Sequence, residues 1–138
     1  MPYADQLYGK MPYWKHPMAV VTTGMKIFKS KFTANAIKTA MLHDTIEDTF
    51  IGIEQIKKFD FSAEVVEAVL LLTKNKALSY EENIQKIINS GNKLAMMVKY
   101  CDNYVNYNGD KSDWDLVKAK NSQKKYKNSL DKLGIKYK

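Results

Sequence analysis

The stretch Ala40-Met41-Leu42-His43-Asp44-Thr45-Ile46-Glu47-Asp48-Thr49 constrains this chain more than any other. An apolar helical run ends in a His-Asp pair, and a Glu-Asp pair follows one helical turn later. Four ionisable side chains fall within six positions, at the end of a segment that otherwise reads as core. Unpaired charge at a buried helix end is expensive. The fold must bring compensation to this point, and a metal ion would supply it. The missing ligands then have to come from elsewhere in the chain.

The candidates are few. The chain holds two histidines, His16 and His43, each at a predicted helix boundary. His16-Pro17 opens one helix, with Pro17 suited to a first turn. Asp102 lies amid Met96, Met97, Val98 and Val105, where an isolated buried carboxylate must be neutralised, paired or metal-bound. Asn106 follows Asp102 by four residues and so shares its helix face. Two histidines, the Asp44 beside one of them and a remote aspartate make a mixed nitrogen and oxygen set. Such a set suits an octahedral divalent ion such as manganese, iron or magnesium, with zinc also open. Four-cysteine and cysteine-histidine sites are excluded, because Cys101 is the single cysteine. Cys101 also rules out an intrachain disulfide and fits a reducing compartment, so the cytoplasm is the expected location.

The remaining sequence predicts helices throughout. Apolar residues recur at helical spacing over about 17–30, 34–44, 53–59, 63–72, 80–89, 93–107 and 112–133. Ser79-Tyr80-Glu81-Glu82 is a capping box. Thr33 and Ser62 are further candidate caps, and Gly134 is a stop. The 63–72 helix is apolar on most sides, which predicts a central position. No useful period-2 segment occurs, and residues 1–15 read as aromatic loop. The expected architecture is all-α, one domain over 1–138, with about seven helical pieces around one core. The longest apolar run, Ala68 to Leu72, is far too short to span a membrane. The N-terminus lacks the pattern of a secretory signal.

The net charge of +7 comes from 22 lysines without any arginine. The lysines are spread along the chain and densest after Lys111, which reads first as a solvated face. A basic approach to a small polyanion is the sharper reading. Without arginine there is no guanidinium fork for phosphate. Phosphate would have to be held by metal, lysine, backbone amides and neutral side chains.

Four ordered segments then resemble the H…HD…D signature of the HD-domain phosphohydrolases. Gly9-x-x-Pro12-Tyr13-x-x-His16-Pro17-x-Ala19-Val20 is similar to the entry of the RelA/SpoT-type hydrolases. Leu42-His43-Asp44-Thr45-Ile46-Glu47-Asp48-Thr49 resembles that group's Leu-His-Asp-x-x-Glu-Asp-Thr. Leu72-Thr73-Lys74 resembles its Leu-Thr-Lys element, and Val98-Lys99-Tyr100-Cys101-Asp102-x-x-x-Asn106 its Val-Lys-x-Ala-Asp-x-x-x-Asn. The resemblance runs from about Gln6 to the final helix. It implies a small stand-alone HD domain that removes the 3′-pyrophosphate of guanosine tetraphosphate with manganese. Iron, magnesium and zinc are the other metals to consider. By position, His16, His43, Asp44 and Asp102 would ligate the metal. Glu47 and Asp48 would handle the attacking water, and Asn106 would contact the nucleotide.

Lys74, Lys99 and Tyr13 are further candidates for substrate contact. Each has an ordinary structural use as well, solvated surface for the lysines and aromatic core for Tyr13. The expected partner is a small nucleotide, with no membrane and with nucleic acid disfavoured; no feature sets an oligomeric state. Two alternatives stand beside this reading: an HD phosphohydrolase acting on another nucleotide, such as a nucleoside monophosphate or a phosphorylated dinucleotide, and an inert HD domain that binds nucleotide or nucleic acid without turnover.

Overall fold

The computed structural model describes residues 7–8, 11–12, 15–48, 62–109 and 114–134, with side chains over 16–43, 62–109 and 114–134. It is all-α apart from one short ladder. Strand β1 (Leu7–Tyr8) pairs antiparallel with β2 (Met11–Pro12), Leu7 opposite Pro12 and Tyr8 opposite Met11. The sequence predicts only loop there, because two residues per strand are too few for alternation to register. Six α-helices follow: α1 (Lys15–Ile27), α2 (Ala34–Asp48), α3 (Ala63–Leu72), α4 (Tyr80–Ser90), α5 (Lys93–Tyr107) and α6 (Leu116–Gly134). A 3-10 turn, Lys29–Lys31, joins α1 to α2. The expected helix over 53–59 lies outside the described residues.

Local chemistry sets the helix ends. Helix α1 stops three residues short of the expected Ser30, because Lys29 adopts a left-handed φ of 51°. The chain there turns back and lays Phe32, a buried ring, against Gly24. A Cβ at Gly24 would overlap that ring, so glycine is what permits the close approach. Thr33 Oγ1 accepts from the Ala36 amide at 3.4 Å, near the start of α2. Ser62 caps α3 by accepting from the Val65 amide at 3.3 Å. At α4 the capping box is complete: Ser79 Oγ accepts from the Glu82 amide at 3.1 Å, and Glu82 Oε1 accepts from the Ser79 amide at 2.9 Å. Gly91, with φ 67°, closes α4 in the left-handed conformation that favours glycine. Asn92 then opens α5 by accepting from the Ala95 amide at 2.9 Å.

Helix α5, rather than α3, is the centre of the bundle. It packs against α1, α2, α3, α4 and α6, and most extensively against α6. Leu94 to Val98 and Cys101 to Asn103 are all buried, so no face of α5 is left to solvent over its first half. Helix α3 buries Val65, Ala68, Val69 and Leu72 but leaves Leu70 38% exposed. Its apolar composition overstates its burial because Glu64, Glu67 and Leu70 share an outer face. On α2, Ala36, Ala40 and His43 are buried, and Ile37 and Met41 pack on the core from its edge. Helix α6 turns inward the stripe Ser122, Tyr126, Ser129 and Leu133, spaced 4-3-4, which lets a lysine-rich helix pack on α5.

One buried polar side chain holds the loop that leads from α3 to α4. Asn83 Oδ1 accepts from the Asn75 amide at 2.9 Å. Its Nδ2 donates to the carbonyls of Asn75 at 3.1 Å and Ser79 at 3.0 Å, with a longer contact to that of Leu78. Asn83 thus satisfies the backbone of a loop that carries Lys74. Asn83→Ala leaves those groups unpaired and is expected to lower unfolding free energy by about 2 kcal/mol in urea titration. An unchanged midpoint would mean that other groups hold the loop.

Candidate functional site

Three sequence-distant side chains meet in the core. His16 comes from the first turn of α1, His43 from α2 and Asp102 from the middle of α5. All three are buried. His16 Nε2 lies 2.7 Å from Asp102 Oδ1, a hydrogen bond donated by the imidazole to the carboxylate. His43 Nε2 is 3.7 Å from the same oxygen. His43 Nδ1 is 2.8 Å from the Ala40 carbonyl, which only accepts, so Nδ1 carries a proton. That bond fixes the ring and turns Nε2 toward Asp102. Neutral His43 thus directs a lone pair at a carboxylate oxygen, an arrangement that only a cation between them, proton or metal, makes favourable.

Asp102 is held ionised against its burial. Burial alone would raise its pKa. The Lys99 ammonium, 3.4 Å from Oδ2, and then the hydrogen bond from His16 outweigh this, with His43 close by, and hold it well below the usual carboxylate range. Lys99 reaches it from one turn earlier on α5. The Cys101 thiol, fully buried, is pushed up to about 12 by burial and then by the Asp102 charge, which removes it as a nucleophile at neutral pH.

The His43 and Asp102 side chains border a cavity of about 290 Å³. Lys74, Lys99 and Lys125 line it, together with Asn106, Tyr80 and Tyr126. The three lysines come from the α3–α4 loop, α5 and α6. They are close enough that burial, then Lys74 and Lys99, lower the pKa of Lys125. Two tyrosines organise the ammonium groups. Lys125 Nζ stands 4.7 Å from the Tyr80 ring centre and 4.8 Å from that of Tyr126, and Lys99 Nζ is 5.6 Å from Tyr80. The two rings meet edge to face, with centres 6.0 Å apart. The Tyr80 hydroxyl donates to Oδ1 of the fully buried Asn103, which follows Asp102 in the chain. Burial pushes the Tyr80 hydroxyl up to about 12, so it stays protonated and keeps that bond.

The structure thus brings together His16, His43 and Asp102, and gathers Lys74, Lys99 and Asn106 around the adjoining cavity. Helix α2 continues past the expected end at Asp44 to Asp48, so Asp44, Glu47 and Asp48 lie on one unbroken helix. Their side chains lie outside the described residues, as does Tyr13. Among the described residues alone, no group of three or more His, Cys, Asp or Glu is arranged to hold a metal ion. The donors present nevertheless agree in kind with a divalent cation. They are two imidazole nitrogens and a carboxylate oxygen, with one imidazole anchored on a backbone carbonyl, as ligating histidines commonly are.

Sequence reasoning missed Lys125, Tyr80 and Tyr126. Tyr126 was recoverable from the 4-3-4 spacing with Ser122, Ser129 and Leu133. Lys125 was hidden by the abundance of lysine on α6, and Tyr80 by its place in a capping box. No protein-family model matches the chain, and no curated protein matches it in sequence.

The Asp102 environment has a consequence for acid stability. A depressed folded-state pKa contributes stability that is present above the unfolded value and is lost as pH falls through the folded one. With chelator present, wild type is expected to lose stability more steeply than Asp102→Asn as pH falls below about 4, the unfolded aspartate range. Equal pH slopes in urea unfolding would show that His16 and Lys99 do not hold Asp102 ionised.

Proposed function

We propose that this protein is a metal-dependent phosphohydrolase acting on a nucleotide, with guanosine tetraphosphate as the first substrate and removal of its 3′-pyrophosphate as the reaction. The observation that carries the reading is the junction of two chemistries in one cavity. His43 and Asp102 offer metal-type donors to it, and Lys74 and Lys125, with the Asp102-paired Lys99, offer positive charge for phosphate. The ordered motifs around His16, His43-Asp44 and Asp102, which resemble the HD phosphohydrolases, support the same assignment.

In this reading His16, His43, Asp44 and Asp102 hold the divalent cation, manganese first among the choices. When bound, such an ion supplies Lewis acidity toward a phosphoryl oxygen and acidifies a water. Glu47 and Asp48 orient that water or accept its proton, as general bases. Lys74, Lys99 and Lys125 bind the phosphate oxygens; each is a point charge rather than a fork, so three of them take the place of arginine. Tyr80 and Tyr126 keep the ammonium groups of Lys99 and Lys125 turned to the cavity. Asn106, one turn beyond Asp102, donates a hydrogen bond to sugar or phosphate.

The test is phosphate and pyrophosphate release from a nucleotide panel by manganese-loaded protein. Guanosine tetraphosphate is expected to yield pyrophosphate, chelator to abolish release and manganese to restore it. Asp102→Asn is expected to lower kcat by at least about 10³-fold, the rate equivalent of several kcal/mol of lost electrostatic stabilisation. Lys74→Ala is expected to raise KM by roughly tenfold or more, the loss of one charge-assisted contact. Release from another nucleotide alone would keep the chemistry and change the substrate. No turnover of any panel member by the metal-loaded protein would overturn the proposal.

A further inference from the structure

A second concavity adjoins the cavity just described. It is a groove of about 510 Å³ on α6, lined by Trp114, Val117, Lys118, Asn121, Lys125 and Tyr126 among others. Lys125 and Tyr126 line both spaces, so the groove and the lysine-ringed cavity are neighbours that share one pair of side chains. The chemistry changes along this path. The cavity is rich in ammonium groups and borders His43 and Asp102. The groove is built on an indole, a phenol ring and an aliphatic side chain, with amide and hydroxyl groups of Asn121 and Ser122 beside them.

Its aromatic end is unusual for a surface. Val117 is 68% exposed and its neighbour Leu116 is 69% exposed, beside Trp114. Lys118 Nζ stands 4.7 Å from the Trp114 ring centre, which places a cation over one indole face. The Asp115 carboxylate caps α6 by accepting from the Lys118 amide at 2.9 Å, and so fixes the turn on which Trp114 and Lys118 meet. A planar ring laid in the groove against Trp114 would find π surface, apolar contact and hydrogen-bonding groups. An anionic tail on that ring would fall toward Lys125 and the cavity beyond.

We infer that the Trp114–Tyr126 groove on α6 is the base subsite of this protein, receiving the nucleobase of a nucleoside phosphate whose phosphates lie among Lys74, Lys99 and Lys125. The inference rests on the proposed phosphohydrolase reading and names the part of the chain that recognises the rest of the substrate. It assigns a role to the start of the final helix, where Trp114, Val117 and Lys118 line the groove. Base specificity then comes from stacking and from the Asn121 amide, without arginine.

The experiment measures binding by calorimetry in manganese buffer, with guanosine 5′-diphosphate and inorganic pyrophosphate as probes. Neither carries a 3′-pyrophosphate to be removed, so both report equilibrium affinity. Trp114→Ala is expected to weaken guanosine diphosphate roughly tenfold or more, the usual scale for loss of a base–aromatic stack, while pyrophosphate stays within about twofold of wild type. Trp114→Phe is expected to restore most of the nucleotide affinity, which separates stacking from misfolding. Unchanged guanosine diphosphate affinity in Trp114→Ala would overturn the base subsite and leave the phosphate cavity standing. Equal weakening of both probes would also overturn it, since stacking cannot act on pyrophosphate. Failure of wild type to bind either probe would overturn the underlying reading together with the subsite.

Discussion

The buried carboxylate of Asp102 is the constraint on which the rest depends. It sits in the middle of α5, the helix that every other helix touches. A carboxylate there must be neutralised or compensated, because the interior offers no water to solvate it. Compensation arrives from three directions: His16 at the start of α1, His43 within α2, and Lys99 on α5 itself. His16 ties the first turn of α1 to α5, and His43 is held in turn by the Ala40 carbonyl of its own helix. The core, with Val20, Ala36, Ala95 and Val98 among its buried members, therefore encloses a charge.

Such a centre is costly unless it serves chemistry. Replacing a buried polar cluster by hydrophobic residues is often neutral or stabilising, so stability is a weak reason for keeping one. What distinguishes this cluster is its outlet. It borders a cavity whose other walls carry three ammonium groups, two of them held against tyrosine rings. Ammonium groups gathered so closely repel one another, and the lowered pKa of Lys125 records its burial first and then the charges of Lys74 and Lys99. An anion brought into the cavity would relieve that repulsion, which is the part the proposed substrate's phosphates would play.

Much of this was legible in the sequence, for identifiable reasons. The 93–107 and 63–72 helices were read with their observed bounds, because caps at Asn92 and Ser62 coincide with the start of apolar periodicity. His16, His43 and Asp102 were legible as a set because the chain has so few candidates, and an acid amid methionines stands out. The end of α1 was not legible: it depends on Phe32 folding back onto Gly24, a tertiary contact that no local pattern encodes. The extension of α2 to Asp48 was missed because four ionisable residues read as a helix boundary. The centrality of α5 over α3 was missed because composition counts apolar residues and not the number of neighbours a helix meets. Tyr80 and Lys125 became visible only when α4, α5 and α6 were seen around one cavity.

Manganese binding, followed by the loss of the free-ion electron paramagnetic resonance signal on titration with protein, tests the metal centre most directly. The account predicts one saturable site per chain, with affinity falling as the buffer is acidified, because protons compete with a cation for its ligands. It predicts that His43→Ala and Asp102→Asn each abolish the site while retaining helical content by circular dichroism. A wild-type protein that leaves the free-ion signal unchanged, or binding that survives both substitutions, would contradict it.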